Sequence, residues 1–271
     1  MSGRRSNCAV CGGSARVWFN EFRKCTSCGF AWMSDMPSSS QLDDFYRDNP
    51  LDPEWDSFIS TAEWPSNFYE HRLRRIERFV SPGALLDVGV GFGRFLEVAH
   101  SRWPRVVGLD ITPRVVEYVL RNRGLKVDLG VLRDLRYGSS TFDCIHMKDV
   151  IEHMPDAMEN LAECARIARP GAVLVIETLN IDSIYARARG AAYRGFVPGH
   201  VAFFGPRSIR TALERTGFKL MKLYAGDEIP LKNYSRLRPK RMIAKRVAKR
   251  IHFGELYFAS FVAYAQFPSR P

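Results

Sequence analysis

Residues 85–99 read LLDVGVGFGRFLEVA, and no other stretch of the chain limits its fold as tightly. Apolar residues run into Asp87, glycines alternate at Gly89, Gly91 and Gly93, and an amphipathic series (Phe95, Leu96, Val98, Ala99) follows at once. The pattern predicts a strand, a glycine turn and a helix. In a parallel α/β sheet such a turn lies at the carboxyl end of the first strand, where missing side chains let a ligand touch backbone amides. A nucleotide-like cofactor suits that place. The dinucleotide fingerprint G-x-G-x-x-G has its last glycine one residue later than here, so another nucleotide is expected.

The remaining sequence supplies strands and helices around this turn. RVVGLD predicts a second strand ending in Asp110, an acid placed to accept both ribose hydroxyls of a nucleoside. Thr112 and Pro113 open a helix that Gly124 closes, KVDLG is a short third strand, and FDCIHMK is a fourth. ENLAECARIARPGAVLVIET reads as helix, Pro-Gly turn and fifth strand, and Cys144 and Cys164 fall on apolar faces as core thiols. Before the first strand, NFYEHRLRRIERFV has helical spacing, with Phe68, Leu73, Ile76 and Phe79 or Val80 on one face. FKLMKLYAG and ELYFASFVAYAQF are the last two strands.

Cys8 and Cys11 form one C-x-x-C pair, and Cys25 and Cys28 a second. A glycine after each pair (Gly12, Gly29) permits the turn that aims amides at sulfur, and the segment between has the apolar content of a short hairpin. This predicts a zinc ribbon whose four thiolates leave no open coordination position, so the metal would be structural. A redox dithiol or two unbound pairs are the alternatives.

Charge is uneven. The formal net charge is +11, and Lys232, Arg236, Arg238, Lys240, Arg241, Lys245, Arg246, Lys249 and Arg250 lie in a stretch with no acid between Glu228 and Glu255. That segment can be solvated, grip a phosphate-rich acceptor, or make peripheral contact with an anionic membrane through residues 232–251. No run of about 18 apolar residues exists to span a bilayer. The opening MSGRRSNCAV has basic residues without the apolar core of a signal peptide, so a cytoplasmic location, peripheral to the inner membrane surface in the lipid-binding reading, is expected.

Asp87-x-Gly89-x-Gly91-x-Gly93 resembles the first motif of class I S-adenosylmethionine-dependent methyltransferases. KDVIEHMPD resembles, at Asp149, Glu152 and His153, the D-x-x-E-H element of a group that includes the ubiquinone O-methyltransferases. The resemblance implies an α/β fold, a Rossmann-like sheet of seven strands in the order 3-2-1-4-5-7-6, with a small N-terminal zinc ribbon. It divides the chain into a ribbon (1–33), a linker and helical cover (34–81) and a methyltransferase domain (82–271). Within the last lie an acceptor-site insert at 181–204 and a basic insert at 228–254.

The implied cofactor is S-adenosylmethionine, beside a structural zinc. Its expected contacts are Asp87, in a positioning role, Gly89, Gly91 and Gly93, then Asp110, Ile111, Val131, Leu132 and Lys148. His153 and His200 are candidate bases, since imidazole is readily poised near neutral pH. His153, with Glu152, could instead brace its loop, and His200 could instead cap the next helix. Tyr46, Trp55, Trp64 and Tyr69 could line the acceptor mouth or pack between ribbon and main domain. Tyr185, Arg187, Arg189, Tyr193 and Arg194 would give the insert stacking and anion-binding capacity. The expected reaction is O-methylation of a small-molecule or glycan acceptor, with ribosomal RNA methylation and a non-catalytic cofactor-binding scaffold as alternatives. Nucleic acid is the weaker partner reading, because the D-x-x-E-H string and an all-cysteine ribbon differ from the RNA-modifying group.

Overall fold

The computed structural model describes residues 7–19, 21–48, 66–225 and 260–269. The basic stretch 232–251, Trp55 and Trp64 lie outside the described residues. Seven strands form the main sheet: β4 (Ala84–Val88), β5 (Arg105–Asp110), β6 (Val127–Leu129), β7 (Phe142–Lys148), β8 (Ala168–Leu179), β10 (Lys219–Ala225) and β11 (Ser260–Gln266). Their order is β10-β11-β8-β7-β4-β5-β6, which is the expected 3-2-1-4-5-7-6 read from the other edge. β11 runs antiparallel to both β8 and β10, while the β4, β5, β6, β7 and β8 pairings are parallel.

Alternation along β4 explains the layers. Leu85 joins a core with Leu73, Ile76, Phe95 and Trp103 on one face, while Ala84, Leu86 and Val88 join Leu161, Ile167, Ile209 and Leu213 on the other. The first face is covered by α2 (Ser66–Ile76) and α3 (Arg94–His100), the second by α5 (Ala157–Ile167) and α7 (Pro206–Arg215). α4 (Pro113–Arg123) begins at a proline after Thr112 and ends on Gly124 at φ 67°. α2 ends at Ile76, so Phe79 and Val80 pack from the following turn rather than from the helix. The Pro-Gly pair also differs from expectation: Pro170 and Gly171 lie inside β8, which starts at Ala168, and the β7–β8 register shifts there.

The ribbon builds a second sheet. β1 (Ala15–Trp18) and β2 (Phe22–Cys25) form the expected hairpin, β3 (Ala31–Met33) adds to it, and β9 (Ala202–Phe203) pairs with β3. The fourth strand thus comes from far along the chain. Cys8, Val10, Phe30 and Trp32 belong to the same buried cluster as Ile209 and Leu213. Lys24 meets Asp182 at 2.8 Å, and Arg215 donates to the Val10 carbonyl at 2.7 Å. α1 (Ser39–Asp48) follows the ribbon, and α6 (Ile184–Arg189) lies in the insert, capped by Ser183. Among the described residues no helix is long and apolar enough to cross a membrane.

Candidate functional site

The strand order reverses between β4 and β7, and the motif residues gather at the carboxyl ends of these strands, where open α/β sheets bind ligands. A Cβ on Gly89 would lie 2.3 Å from Val150 Cγ2, and one on Gly93 2.9 Å from Val119 Cγ1, whereas one on Gly91 would meet nothing within 4 Å. Two glycines are therefore set by packing, and Gly91 floors an open cradle. Asp110 lies beside it, accepting from Gly91 N at 3.3 Å and Thr112 N at 2.9 Å. Burial pushes its carboxyl up to about 6, against the pull of those two N–H groups. A carboxylate offers about four lone-pair sites, so two amide bonds leave acceptor capacity for ribose hydroxyls. Ile111 is half-buried next to it. Val131 is also half-buried, but the Leu132 side chain is packed into the main core.

Beneath the cradle runs a buried polar chain. Asp87 Oδ1 bonds His146 Nδ1 at 2.7 Å, His146 Nε2 lies 3.5 Å from the Arg72 guanidinium, and Arg72 donates to Glu177 at 2.6 Å. Lys148 Nζ is 3.4 Å from Glu177 and pairs with Asp149. The ring of Phe95 stacks on His146, with centroids 3.8 Å apart. The other Asp87 oxygen is buried without a hydrogen-bond partner from the protein, and burial pushes this carboxyl well above its usual range. An orphaned carboxylate oxygen beside an open cradle fits a ligand bearing both an ammonium group and a nucleoside, as S-adenosylmethionine does. Arg72, His146 and Glu177 were not legible as site residues. The available signal was a charged or polar residue inside an apolar strand, as in VIETL and CIHMK.

The D-x-x-E-H string closes one side of the site. Asp149 has φ 54°, a left-handed conformation uncommon for a residue with a side chain. Glu152 is buried and accepts from Thr178 Oγ1 at 2.9 Å, and desolvation pushes its carboxyl up to about 8. Its own carbonyl accepts from Val201 N at 2.9 Å, tying the string to the insert. Glu152 thus braces a loop. His153 and His200 are brought together edge to face, with ring centroids 4.5 Å apart. Tyr46 of α1 hydrogen-bonds His153 Nδ1. Burial, aided by the neighbouring His200, lowers the His153 pKa to about 4, and burial also lowers that of His200. The helix after His200 is capped not by this histidine but by Ser208 Oγ, which accepts from Gly205 N at 2.9 Å. Tyr69 is half-buried beside Phe95, and Tyr193 is buried against Phe196. Tyr185, Arg187, Arg189 and Arg194 are exposed.

The four N-terminal thiols converge. Cys8 and Cys28 sulfurs are 3.5 Å apart, Cys11 and Cys25 sulfurs 3.4 Å, and all four ligand atoms lie within 4.8 Å of one another. Such spacings are too long for disulfides and suit a tetrahedral centre with metal–sulfur bonds of about 2.3 Å. Gly13 N and Ser27 N approach Cys11 and Cys25 sulfurs at 3.4 Å, as amides do around metal-bound thiolates. The cluster could hold zinc.

Comparison with known proteins agrees with this geometry. A family model described as a methyltransferase domain matches residues 62–223. Ubiquinone biosynthesis O-methyltransferase of Hahella chejuensis is 35% identical over 112 residues, covering 38% of this chain and 47% of that enzyme. The chain thus spans about half the length of that curated relative. Among solved structures, a methyltransferase of Archaeoglobus fulgidus superposes with a TM-score of 0.56 at 19% identity, over 74% of this chain and 94% of that one. A methyltransferase of Mesorhizobium loti gives 0.57 at 15% identity, over 73% and 97%. With the family model covering more than half of its length, the chain belongs to the class I S-adenosylmethionine-dependent methyltransferases.

Proposed function

We propose that the protein transfers a methyl group from S-adenosylmethionine to a hydroxyl of a small-molecule or glycan acceptor. One observation carries the reading: Val150 packs against Gly89 of the cofactor turn, so the string that bears His153 forms one wall of the cradle. In this reading Gly91 and Asp110 receive the nucleoside, and Asp87 sets the polarity beneath it. Bound there, the cofactor supplies an activated methyl with a neutral thioether leaving group. The chain's own tasks are to align the acceptor oxygen, exclude water and take the hydroxyl proton. His153 and His200, held neutral by burial, are the groups available to take it. The O-methyltransferase relative supports oxygen as the acceptor atom. Secondary-metabolite or cell-surface sugar biosynthesis is the setting proposed, with zinc as a structural ion in the ribbon.

Radiolabelled cofactor incubated with a host extract, then split into RNA, lipid with surface glycan, and small-molecule fractions, tests the proposal. Label in either of the last two is the expected outcome. Nuclease-sensitive label in RNA would replace it with the nucleic-acid reading. Cofactor binding without label in any fraction would favour the scaffold.

A further inference from the structure

The histidine pair is held by one short loop, and the loop's hydrogen bonds decide where each ring carries its proton. His200 Nδ1 lies 2.8 Å from the Gly195 carbonyl, and His153 Nδ1 lies 3.1 Å from the Gly199 carbonyl. A carbonyl only accepts, so each Nδ1 must donate and each Nε2 keeps its lone pair. Tyr46 completes the arrangement, donating to the Gly199 carbonyl at 3.3 Å while its oxygen meets His153 Nδ1. The opposite assignment, with Tyr46 donating to a bare Nδ1, would set that nitrogen's lone pair against the carbonyl oxygen. Burial keeps the phenol protonated, so it remains a donor.

Both carbonyls belong to glycines that the packing requires. A Cβ on Gly195 would fall 2.3 Å from Tyr193 Cε1, and one on Gly199, at φ 88°, 2.3 Å from the Tyr46 hydroxyl. The G-F-V-P-G-H segment is thereby shaped to present one carbonyl to each ring. Neither Nε2 is among the buried polar atoms without a partner, and no hydrogen bond occupies either among the described residues. Of the other titratable groups, Asp149 acts on His200, Tyr46 contacts His153, and Glu152 acts on Tyr46.

We propose that the Gly195 and Gly199 carbonyls, with Tyr46 as a positioning residue, form a tautomer clamp that fixes both histidines as Nδ1–H imidazoles and turns both Nε2 lone pairs to the acceptor. The inference rests on the hydroxyl-methylation reading for its use. There the acceptor O–H bond breaks as its oxygen bonds the methyl, the proton passes to Nε2, and the S–CH₃ electron pair stays on the thioether sulfur. The clamp itself needs no substrate to be observed.

Long-range proton–nitrogen correlation spectra of the full-length, 15N-labelled protein at pH 7.5, assigned with His153→Asn and His200→Asn variants, test it directly. The expected result is a pyridine-like Nε2 and a protonated Nδ1 on both rings, against the Nε2–H form that neutral imidazole prefers in water. In Tyr46→Phe both rings should keep Nδ1–H, each still facing its carbonyl, but the His153 Nδ1 resonance should shift as it loses the phenol oxygen while that of His200 stays, and turnover with a hydroxyl acceptor should fall about tenfold with cofactor affinity unchanged. A protonated Nε2 on either ring of the wild-type protein, or a His153 spectrum indifferent to Tyr46→Phe, overturns the clamp. If the clamp appears in spectra but no hydroxyl acceptor is ever methylated, the functional reading fails instead.

Discussion

Asp110 shows what burying a single acid costs in stability. Desolvation is the main cause of its raised pKa, so the folded carboxyl is near 6 against an ordinary value of 3.8. The folded state therefore holds this proton more tightly than the unfolded chain. Its stabilising contribution is present below the ordinary value and is lost as pH rises through the folded one. Asp110→Asn removes that loss. The variant should melt at a higher temperature than the wild type, with a gap that widens between pH 4.5 and 6.5, and calorimetric scans would measure it. The same change should weaken S-adenosylmethionine binding about 10- to 100-fold, because hydrogen bonds to a charged acceptor are the stronger ones. A variant that melts higher and binds equally well would remove Asp110 from the cofactor site. The position of this acid was readable in the sequence from the end of RVVGLD. Its bonds to Gly91 N and Thr112 N were not, since they depend on how the glycine turn folds back over β5.

Between elements, the most consequential contact is the one that holds α2 to the sheet. Arg72 and Glu177 are each buried, at 1% and 2% side-chain exposure, and sit 2.6 Å apart. Burial pushes the Glu177 carboxyl up, but the charges of Arg72 and Lys148 and the Arg72 hydrogen bond together keep it below its usual range. Arg72→Ala strands a buried carboxylate, and breaking such a pair typically costs about 3–5 kcal/mol. Denaturant unfolding should show a loss of that order, and adding Glu177→Gln should recover part of it by removing the unpaired charge. A loss below about 1 kcal/mol, as for surface pairs, would show that Lys148 alone suffices. Helical spacing in NFYEHRLRRI predicted α2 and its apolar face. The pairing of the arginine in its middle was not readable, because periodicity locates a face but does not reveal a charged partner on a strand over a hundred residues away.

Across the whole molecule, the ribbon and the string that bears His153 are wired together. Met33 N donates to the Val201 carbonyl at 3.1 Å, and Val201 N donates to the Glu152 carbonyl at 2.9 Å, so two backbone bonds join β3 to the string that carries His153. The cradle residues come instead from the ends of β4 and β5. Removing the zinc proposed for the cysteine cluster with a chelator should therefore abolish acceptor turnover while titration calorimetry still records cofactor binding. Simultaneous loss of both would mean that the ribbon supports the entire fold. The sequence by itself determined the local pieces: the glycine turn, the alternating strands, the paired cysteines and the sheet order that their resemblance implied. Each depends on neighbours within a few residues or on a periodic pattern, which a linear string displays. Only the tertiary structure decided that β9 completes the ribbon sheet, that Arg72 and Glu177 meet, and that Tyr46 reaches His153. Those contacts join distant segments through burial and hydrogen-bond geometry. A buried donor needs an acceptor in three dimensions, and nothing in the order of residues says which one it will find.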